Sequence, residues 1–429
     1  MSQTMNTTDS SEEPTQALVP KLRFPEFNAP WNLEPLSHVL HEHKRKNIAR
    51  HEVFSVSMEF GIVNQVELLG RSFAAADTSH YTVGEQFDVV YTKSPLKAFP
   101  FGVVKQCKFA GNVALSPLYG VFTPPNPHIG LLIEAIFESP ERSKDFLAPL
   151  CQKGAKNTLQ ITNTAFLSGC LPLPAEPAEQ ARIADCLSSL DELLAAQARK
   201  VEALKTHKKG LMEQLFPREG ETQPRLRFPE FRDAGEWEEV ALGEIAEIKL
   251  GKMLDKKRQT TGHLLPYLNN ISVRWNEVNT SDLPTMRFED RELVRFGLKA
   301  GDVLVCEGGE PGRAAVWDGR LPDLKFQKAI HRVRFKIPFA PKILVLHLAN
   351  VAGSEQFDML FTGGGIKHLT GETFSRFKIP LIPLAEQQRI ADCLSSLDDL
   401  IAAETRSHEA LKTHKKGLMQ QLFPSPSLD

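Results

Sequence analysis

Forty residues, Ala178–Pro217, recur near the C-terminus as Ala385–Pro424, with 32 of the 40 positions identical. A duplication this strict confines the chain to folds that use one scaffold twice. The shared text is RIADCLSSLD at Arg182–Asp191 and Arg389–Asp398, then ALKTHKKGLM at Ala203–Met212 and Ala410–Met419, then QLFP. A shorter repeat, LRFPEF, stands at Leu22–Phe27 and Leu226–Phe231. Each half therefore reads LRFPEF, a long variable stretch, and the repeated segment. The period of about two hundred residues is far longer than the 20–50 of solenoid repeats. What the halves share is scaffold, and where they differ they perform two versions of one task.

The repeated segment has the pattern of a coiled-coil helix. Apolar residues fall at Ile183, Leu187, Leu190, Leu194, Val201, Leu204, Leu211 and Leu215, at the alternating spacing of four and three that makes a heptad seam. The second copy places Ile390, Leu394, Leu397, Ile401, Leu411, Leu418 and Leu422 in the same register. Polar seam positions also match, Gln197 with Glu404 and Lys208 with Lys415, whereas Val201 is replaced by His408. Pro177 and Pro217 bracket the first run and no proline interrupts either. About 38 residues at 1.5 Å each make a rod of roughly 57 Å. A narrow stripe on an otherwise polar helix calls for another helix. The simplest pairing is between the two copies within one chain, antiparallel, which would put the two variable stretches at opposite ends. Packing of each helix on its own domain, and pairing in trans as a homodimer, are the competing arrangements.

Composition sets outer bounds. At 429 residues, 41% hydrophobic and 24% charged, the chain is sized for two or three ordinary globular domains. It contains no apolar run of membrane-spanning length. The opening MSQTMNTTDSSEEPTQ is polar and acidic, without the basic start and apolar run of a secretory signal, so a disordered tail and a cytoplasmic location are expected. The six cysteines, Cys107, Cys151, Cys170, Cys186, Cys306 and Cys393, form no CxxC pair, which speaks against zinc. Cys186 and Cys393 are equivalent in the repeat and are read as small packing residues of the helices. A net charge of −2 argues mildly against a nucleic-acid binder, although affinity depends on where the cations sit.

The variable stretches, Trp31–Leu171 and Trp237–Pro380, carry short strand-like runs broken by Gly and Pro, with a few helical patterns. Examples are FDVVYT, FGVVKQC and LYGVFT in the first and GDVLVCEGGEPGRAAVW and AIHRVRF in the second. This is the pattern of α+β domains. Several loops have the chemistry to meet anions or base edges, since Arg and Lys suit guanine or phosphate while Asn and Gln suit adenine. In the second stretch the candidates are Lys249, Lys252, Lys256, Lys257, Arg258, Asn269, Asn270, Arg274, Gly309, Glu310, Arg313, Lys328, His331, Arg332, Lys367 and His368. Gly363, Gly364 and Gly365 precede Lys367, where backbone can bend freely. In the first stretch they are Lys93, Lys105, Lys108, Lys153, Lys156 and Asn157, with a further basic run at His43–Lys46 and Arg50. Each cluster taken alone also fits a solvated surface.

Catalytic signatures are missing. There is no GxxxxGK[ST], no GxGxxG after a strand, no GxSxG and no HExxH, so neither catalytic residues nor a metal site is assigned. The expectation is a protein of recognition and assembly.

The combination resembles the specificity subunit of type I restriction-modification enzymes, over about Pro20 to Pro424. The resemblance is carried by PLPAEPAEQARIADCLSSLDELLAA (Pro172–Ala196), IPLIPLAEQQRIADCLSSLDDLIAA (Ile379–Ala403), both KKGLM…QLFP tails, GDVLVCEGGEPGRAAVW (Gly301–Trp317), QKAIHRVRF (Gln327–Phe335) and GGGIKHLTGETF (Gly363–Phe374). It implies two target-recognition domains separated by two long repeated helices, paired antiparallel with pseudo-two-fold symmetry. The corresponding division is a tail over 1–19, a first recognition domain over 20–172, a helix over 173–217, a second recognition domain over 218–380, a helix over 381–424 and a tail over 425–429. It further implies a bipartite double-stranded DNA target, one half per domain, and no catalytic group in this chain. The implied partners are two modification subunits and two restriction subunits. S-adenosylmethionine, ATP and Mg2+ would belong to those partners and no cofactor to this chain. A methylation-only complex and a coiled-coil adaptor that binds no DNA are the alternatives. The first domain has no evident counterpart of EGGEPGR, so contact residues do not transfer to it by motif.

Overall fold

The structure, a computed structural model, describes residues 18–153, 159–218, 220–253, 261–362 and 367–424. The chain divides into two compact units, residues 1–197 with 407–429, and residues 198–406. Each unit thus takes part of each repeated helix, and each is built on the same frame.

In the first unit four antiparallel strands lie in the order His41–Glu42, Gly120–Thr123, Val89–Thr92 and Val103–Gln106. Helix Pro127–Phe137 covers this sheet, burying Ile129, Leu132, Ile133 and Ile136 against Val89, Tyr91, Val104 and Phe122. Its start is encoded locally: the Asn126 side chain accepts a hydrogen bond from the Ile129 N–H, and Pro127 occupies the first turn. A two-stranded ribbon, Asn32–Pro35 against Cys170–Leu173, joins the ends of the variable stretch just before the long helix.

The second unit repeats this order with Ala246–Leu250, Ile330–Phe335, Val303–Cys306 and Ala314–Val316. Helix Pro341–Val351 buries Ile343, Leu344, Val345, Leu346 and Leu348 in its core. The closing ribbon pairs Glu238–Ala241 with Lys378–Leu381. Beyond the frame the units diverge. The first adds a hairpin of Phe54–Ser57 and Gly61–Asn64, and the second adds a sheet of Thr285–Phe288, His263–Leu268 and Lys325–Phe326. The α+β class expected from the short strands holds in both.

The repeated segments form helices over Pro177–Leu215 and Leu384–Leu422, 39 residues each. Their pairing is antiparallel. In the second unit Lys200 meets Glu404 at 2.6 Å and Lys208 meets Asp398, so one number rises as the other falls. In the first unit Lys415 bridges Asp191 at 2.6 Å and Glu138 at 2.8 Å. These contacts explain the two lysines placed on the apolar stripe, since each seam lysine reaches the aspartate of the facing helix. The stripe also has a second use. Ile183, Leu187 and Leu422 are buried in the first unit's core, and Leu215, Ile390 and Leu394 in the second's. Between them Leu190, Leu194, Leu204, Leu211, Leu397, Ile401, Leu411 and Leu418 are half-buried, while Val201 is buried. Helix–helix pairing and packing on the globular core, posed as alternatives by the sequence, coexist on one seam.

The short LRFPEF repeat turns out to be a clamp. Arg23 Nε and Nη2 donate to the two oxygens of Glu179 at 2.7 Å each, and Trp31 Nε1 donates to the same carboxylate at 3.1 Å. Arg227 makes the same fork on Glu386, 2.7 Å twice, with Trp237 Nε1 at 3.3 Å. Glu179 is 0% exposed and Glu386 1%. The neighbouring Leu22 N–H donates to Gln421 O, and Leu226 N–H to Gln214 O. Each clamp therefore ties the start of one long helix to the end of the other. The hydrogen bond to the buried carboxylate raises the pKa of each arginine. Among the described residues no helix is long and apolar enough to cross a membrane.

One half-buried group gives the second unit a pH dependence. His347 lies against Phe216 and Phe377, with ring centroids at 5.9 and 5.5 Å, and burial pushes its pKa down to about 4. A neutral native histidine that ionises near 6.5 when unfolded favours folding above pH 6.5, and that stability is lost as the pH falls toward 4. The full shift corresponds to about 3 kcal/mol. We expect His347→Phe to flatten this part of the pH–stability curve measured by urea unfolding; an unchanged slope between pH 6.5 and 4 would assign the loss to other groups.

Candidate nucleic-acid interface

In the second unit the edge of the four-stranded sheet carries the turn between Val303–Cys306 and Ala314–Val316. Positive φ at Gly309 (80°) and Gly312 (88°) lets the backbone reverse here. A side chain at Gly312 would strike the Phe357 ring at 2.5 Å, so the glycine is also needed for packing. Between these glycines Glu310 projects outward, with its side chain 52% exposed. Its Oε1 accepts from Trp275 Nε1 at 2.8 Å and its Oε2 from Arg313 Nη1 at 2.9 Å. Trp275 stands at the tip of the two-residue hairpin loop joining Val273–Arg274 to Glu277–Val278, and the Asn276 N–H holds that tip to Ala314 O at 3.0 Å. Arg313 Nη2 donates to Asn270 O at 2.7 Å. Asn269 folds back on its own loop, accepting from the N–H groups of Ile271 and Ser272 at 3.0 and 3.2 Å. The result is one rigid assembly of Asn270, Trp275, Glu310 and Arg313.

Exposed groups surround it. His368 lies beside the turn, its ring within contact distance of a side chain at Gly308. Lys367 is exposed, pairs with Asp358 at 2.6 Å and lies 5.7 Å from the centre of the Phe361 ring. Arg274 and Lys328 are exposed. Lys249 pairs with Glu247 at 2.9 Å. Lys252 donates to Arg287 O at 2.8 Å, pairs with Glu292 and lies over the Phe288 ring, which commits it to holding loops together.

Three basic candidates face inward and need correcting. Arg332 is 1% exposed, with Nη2 on Glu247 at 2.7 Å and Nη1 on Gly297 O at 3.0 Å. His331 is 0% exposed and donates from Nε2 to Leu369 O at 2.7 Å; burial lowers its pKa, which keeps the ring neutral. Lys105 is 4% exposed and lies between Glu134 at 3.2 Å and Glu138 at 3.4 Å. A buried charge must be paired, and Arg332 and Lys105 find carboxylates inside the fold, while His331 gives its ring N–H to a backbone carbonyl. None of the three has a surface from which to reach a ligand.

In the first unit, the place of the Glu310 turn is taken by the exposed connection between strands Val89–Thr92 and Val103–Gln106. Gly102, at φ 108°, stands just before the second strand, as Gly312 does in its unit. The connection carries Lys93 and the previously unassigned Lys97, both exposed. The shared strand order identifies this connection; no sequence motif does. Lys108 is exposed and lies 3.4 Å from Glu134. Lys153 ends the short strand Gln152–Lys153. Lys156, Asn157, Lys256, Lys257, Arg258 and Gly363–Gly365 lie outside the described residues.

Comparison with known proteins agrees with this frame. Residues 234–413 match the family described as the type I restriction modification DNA specificity domain. Two specificity subunits of type I restriction enzymes from Methanocaldococcus jannaschii, MjaVIII and MjaX, are each 27% identical, over 266 and 280 residues. The matches cover 59% and 63% of this chain, and the chain spans about three fifths of the relatives' length, 61% and 62%. The crystal structure of a type I restriction-modification S subunit from M. genitalium superposes with a TM-score of 0.56 at 14% identity, covering 95% of this chain and 100% of that one. A chain from a structural study of assembly in the type I system gives 0.53 at 16% identity, covering 91% and 96%. Both share the fold. The duplicated frame, the clamped helices and the sequence match point the same way: residues 234–413 match the type I restriction modification DNA specificity domain, and the chain is similar to specificity subunits of type I restriction enzymes.

Proposed function

We propose that the chain reads a bipartite DNA sequence, one half per unit, and that its paired helices dock the modification subunits of a methylating and restricting complex. The observation that carries this reading is the contrast between frame and turn. The strand order is the same in both units, yet at the equivalent edge one unit presents Glu310 with Trp275 and Arg313, and the other Lys93 and Lys97. Identical scaffolds with different edge chemistry are what two readers of unlike half-sites require. Two modification and two restriction subunits, with S-adenosylmethionine, ATP and Mg2+ held by them, complete the proposal. The helical repeat supports a pair of like partners, because it offers the same residues twice. The near-neutral charge is consistent with partners supplying much of the phosphate neutralisation.

The test is exchange of residues Trp31–Leu171 for the corresponding stretch of another member of the family, followed by mapping of methylated adenines. One half of the recognised sequence is expected to change and the other to persist; change in both halves, or in neither, would count against the reading. The net charge of −2 favours one rival, an adaptor that binds no DNA. Binding of the assembled complex to duplex DNA at two salt concentrations separates the two, because only a DNA reader gains affinity as salt is lowered.

Lys328 provides a second, narrower check. It is exposed and no acidic partner is in contact with it among the described residues. Lys328→Ala is expected to weaken binding about equally on all sequences and to reduce the salt slope by about one, as for a phosphate contact. A loss confined to one base position would move it to the base-reading set.

A further inference from the structure

We infer that Glu310 is the specificity-determining residue of the second unit and that it selects a base carrying an exocyclic amino group, cytosine or adenine, at one position of its half-site. The inference rests on the DNA-reading role proposed above and goes beyond it by assigning a residue and a chemistry.

By sequence both Glu310 and Arg313 of EGGEPGR are candidates to meet a base. The geometry separates their roles. Arg313 is only 21% exposed in its side chain; Nη2 is used on Asn270 O at 2.7 Å, Nη1 on Glu310 Oε2 at 2.9 Å, and Nε is buried without a partner. A guanidinium held this way cannot present its fork to guanine. It is a positioning residue. Glu310, by contrast, is half exposed, and each of its oxygens receives one donor from within the protein. A carboxylate oxygen has two lone-pair sites, so each keeps one available outward. The Trp275 and Arg313 donors, one to each oxygen, fix the plane of the carboxylate before any ligand arrives. Positive-φ glycines at Gly309 and Gly312 keep the turn narrow on either side.

An acceptor-only group at the edge of a polyanion contributes nothing to general affinity, because it repels phosphate. Its use is discrimination. It accepts from N4–H2 of cytosine or N6–H2 of adenine and meets lone pairs at O6 of guanine or O4 of thymine. The position it faces is therefore expected to be amino-selective over keto bases by about ten- to a hundredfold. The equivalent connection in the first unit, with Lys93 and Lys97, bears donors where this one bears an acceptor, so the two half-sites differ in kind at the corresponding place.

The test uses the chain assembled with its modification subunits, selected on a randomised duplex library, in wild-type and Glu310→Gln forms. Glutamine keeps the size but can donate as well as accept. The expected result is that one position of one half-site changes from A/C-selective to tolerant of G or T, while every other position and the unfolding midpoint stay as in wild type. Trp275→Phe keeps the carboxylate but frees its plane, and should blunt discrimination at that same position without admitting keto bases equally. If Glu310→Gln leaves all positions unchanged, or weakens selectivity evenly across the half-site, Glu310 is only a link in the scaffold and the inference is overturned. A wild-type complex that selects no sequence at all would overturn the DNA-reading role itself, a separate and recognisable failure.

Discussion

Replacing Glu386 with alanine is expected to destabilise the fold by about 3–5 kcal/mol, the cost of leaving a buried charge without its partner. The carboxylate is the acceptor for two Arg227 nitrogens at 2.7 Å and for the Trp237 indole at 3.3 Å, and all of this lies beneath the surface. Removing it leaves the guanidinium, whose side chain is 8% exposed, with only the Ala234 and Gly235 carbonyls as acceptors, and the buried Trp237 indole N–H with none. Glu179→Ala should behave alike, because Arg23 and Trp31 stand in the same relation to Glu179. The measurement is a pair of urea titrations against wild type. The exchange of both partners for apolar residues of similar size, Arg227→Met with Glu386→Met, should recover most of the loss, since a well-packed apolar pair avoids the desolvation of both charges. If the single variant loses under 1 kcal/mol, the clamp is ornamental. If the double variant is as weak as the single, its contribution is geometric, holding the start of one helix beside the end of the other, and not electrostatic.

That clamp also shows where sequence reading stops. The duplicated LRFPEF string was visible, and so was the AEQ that opens each helix segment. Nothing in either string says that the arginine of one meets the glutamate of the other, because they are separated by 156 residues in the first unit and 159 in the second. A signal did exist: the duplicated strings keep the arginine and the glutamate, and a tryptophan, Trp31 or Trp237, follows each LRFPEF. The heptad seam was legible for the opposite reason, since helical periodicity is local. Its double use, packing on the core near the helix ends and pairing between, was not, because an apolar residue does not announce what covers it.

Among the candidate contact residues the errors have one cause. Lys105 and Arg332 sit on strands whose partners supply carboxylates from distant segments, Glu134 and Glu138 for the first and Glu247 for the second. Both strands are covered on both faces here, and a basic residue buried in such a strand looks in sequence like an exposed one. Trp275 was missed because a hairpin tip thirty-five residues upstream of Glu310 meets it only in the folded chain. The first unit's counterpart of the glycine-rich turn was hidden because it shares the place in the sheet and not the text. Topology recovered it.

A second large effect is expected at the two phenylalanines that hold the short helices before the closing ribbons. Phe166 follows the capping Thr162, and Phe374 follows the capping Thr370, each four residues on and each 0% exposed. Truncation of a fully buried phenylalanine costs about 3–5 kcal/mol through lost transfer energy and the cavity left behind. The two sites should not cost the same. Phe166 is stacked on Tyr91 at 4.6 Å and also meets Phe122, Phe137 and Phe146 at 5.4 to 6.0 Å. Phe374 meets His331 at 5.8 Å and Phe377 at 6.3 Å. Each aromatic pair adds about 0.5–1.5 kcal/mol beyond its buried area, so Phe166→Ala should lie near the top of the range and Phe374→Ala nearer the bottom. Hydrogen exchange on the intact chain reads the two separately. Amides of the strands Val89–Thr92 and Gly120–Thr123 should lose protection in Phe166→Ala, while those of Val303–Cys306 keep theirs; in Phe374→Ala the pattern should invert. Equal losses at both sites would mean that ring contacts contribute little beyond area here. Simultaneous loss of protection in both sets of strands by either variant would show that the two units unfold as one, against the division of the core into separate clusters.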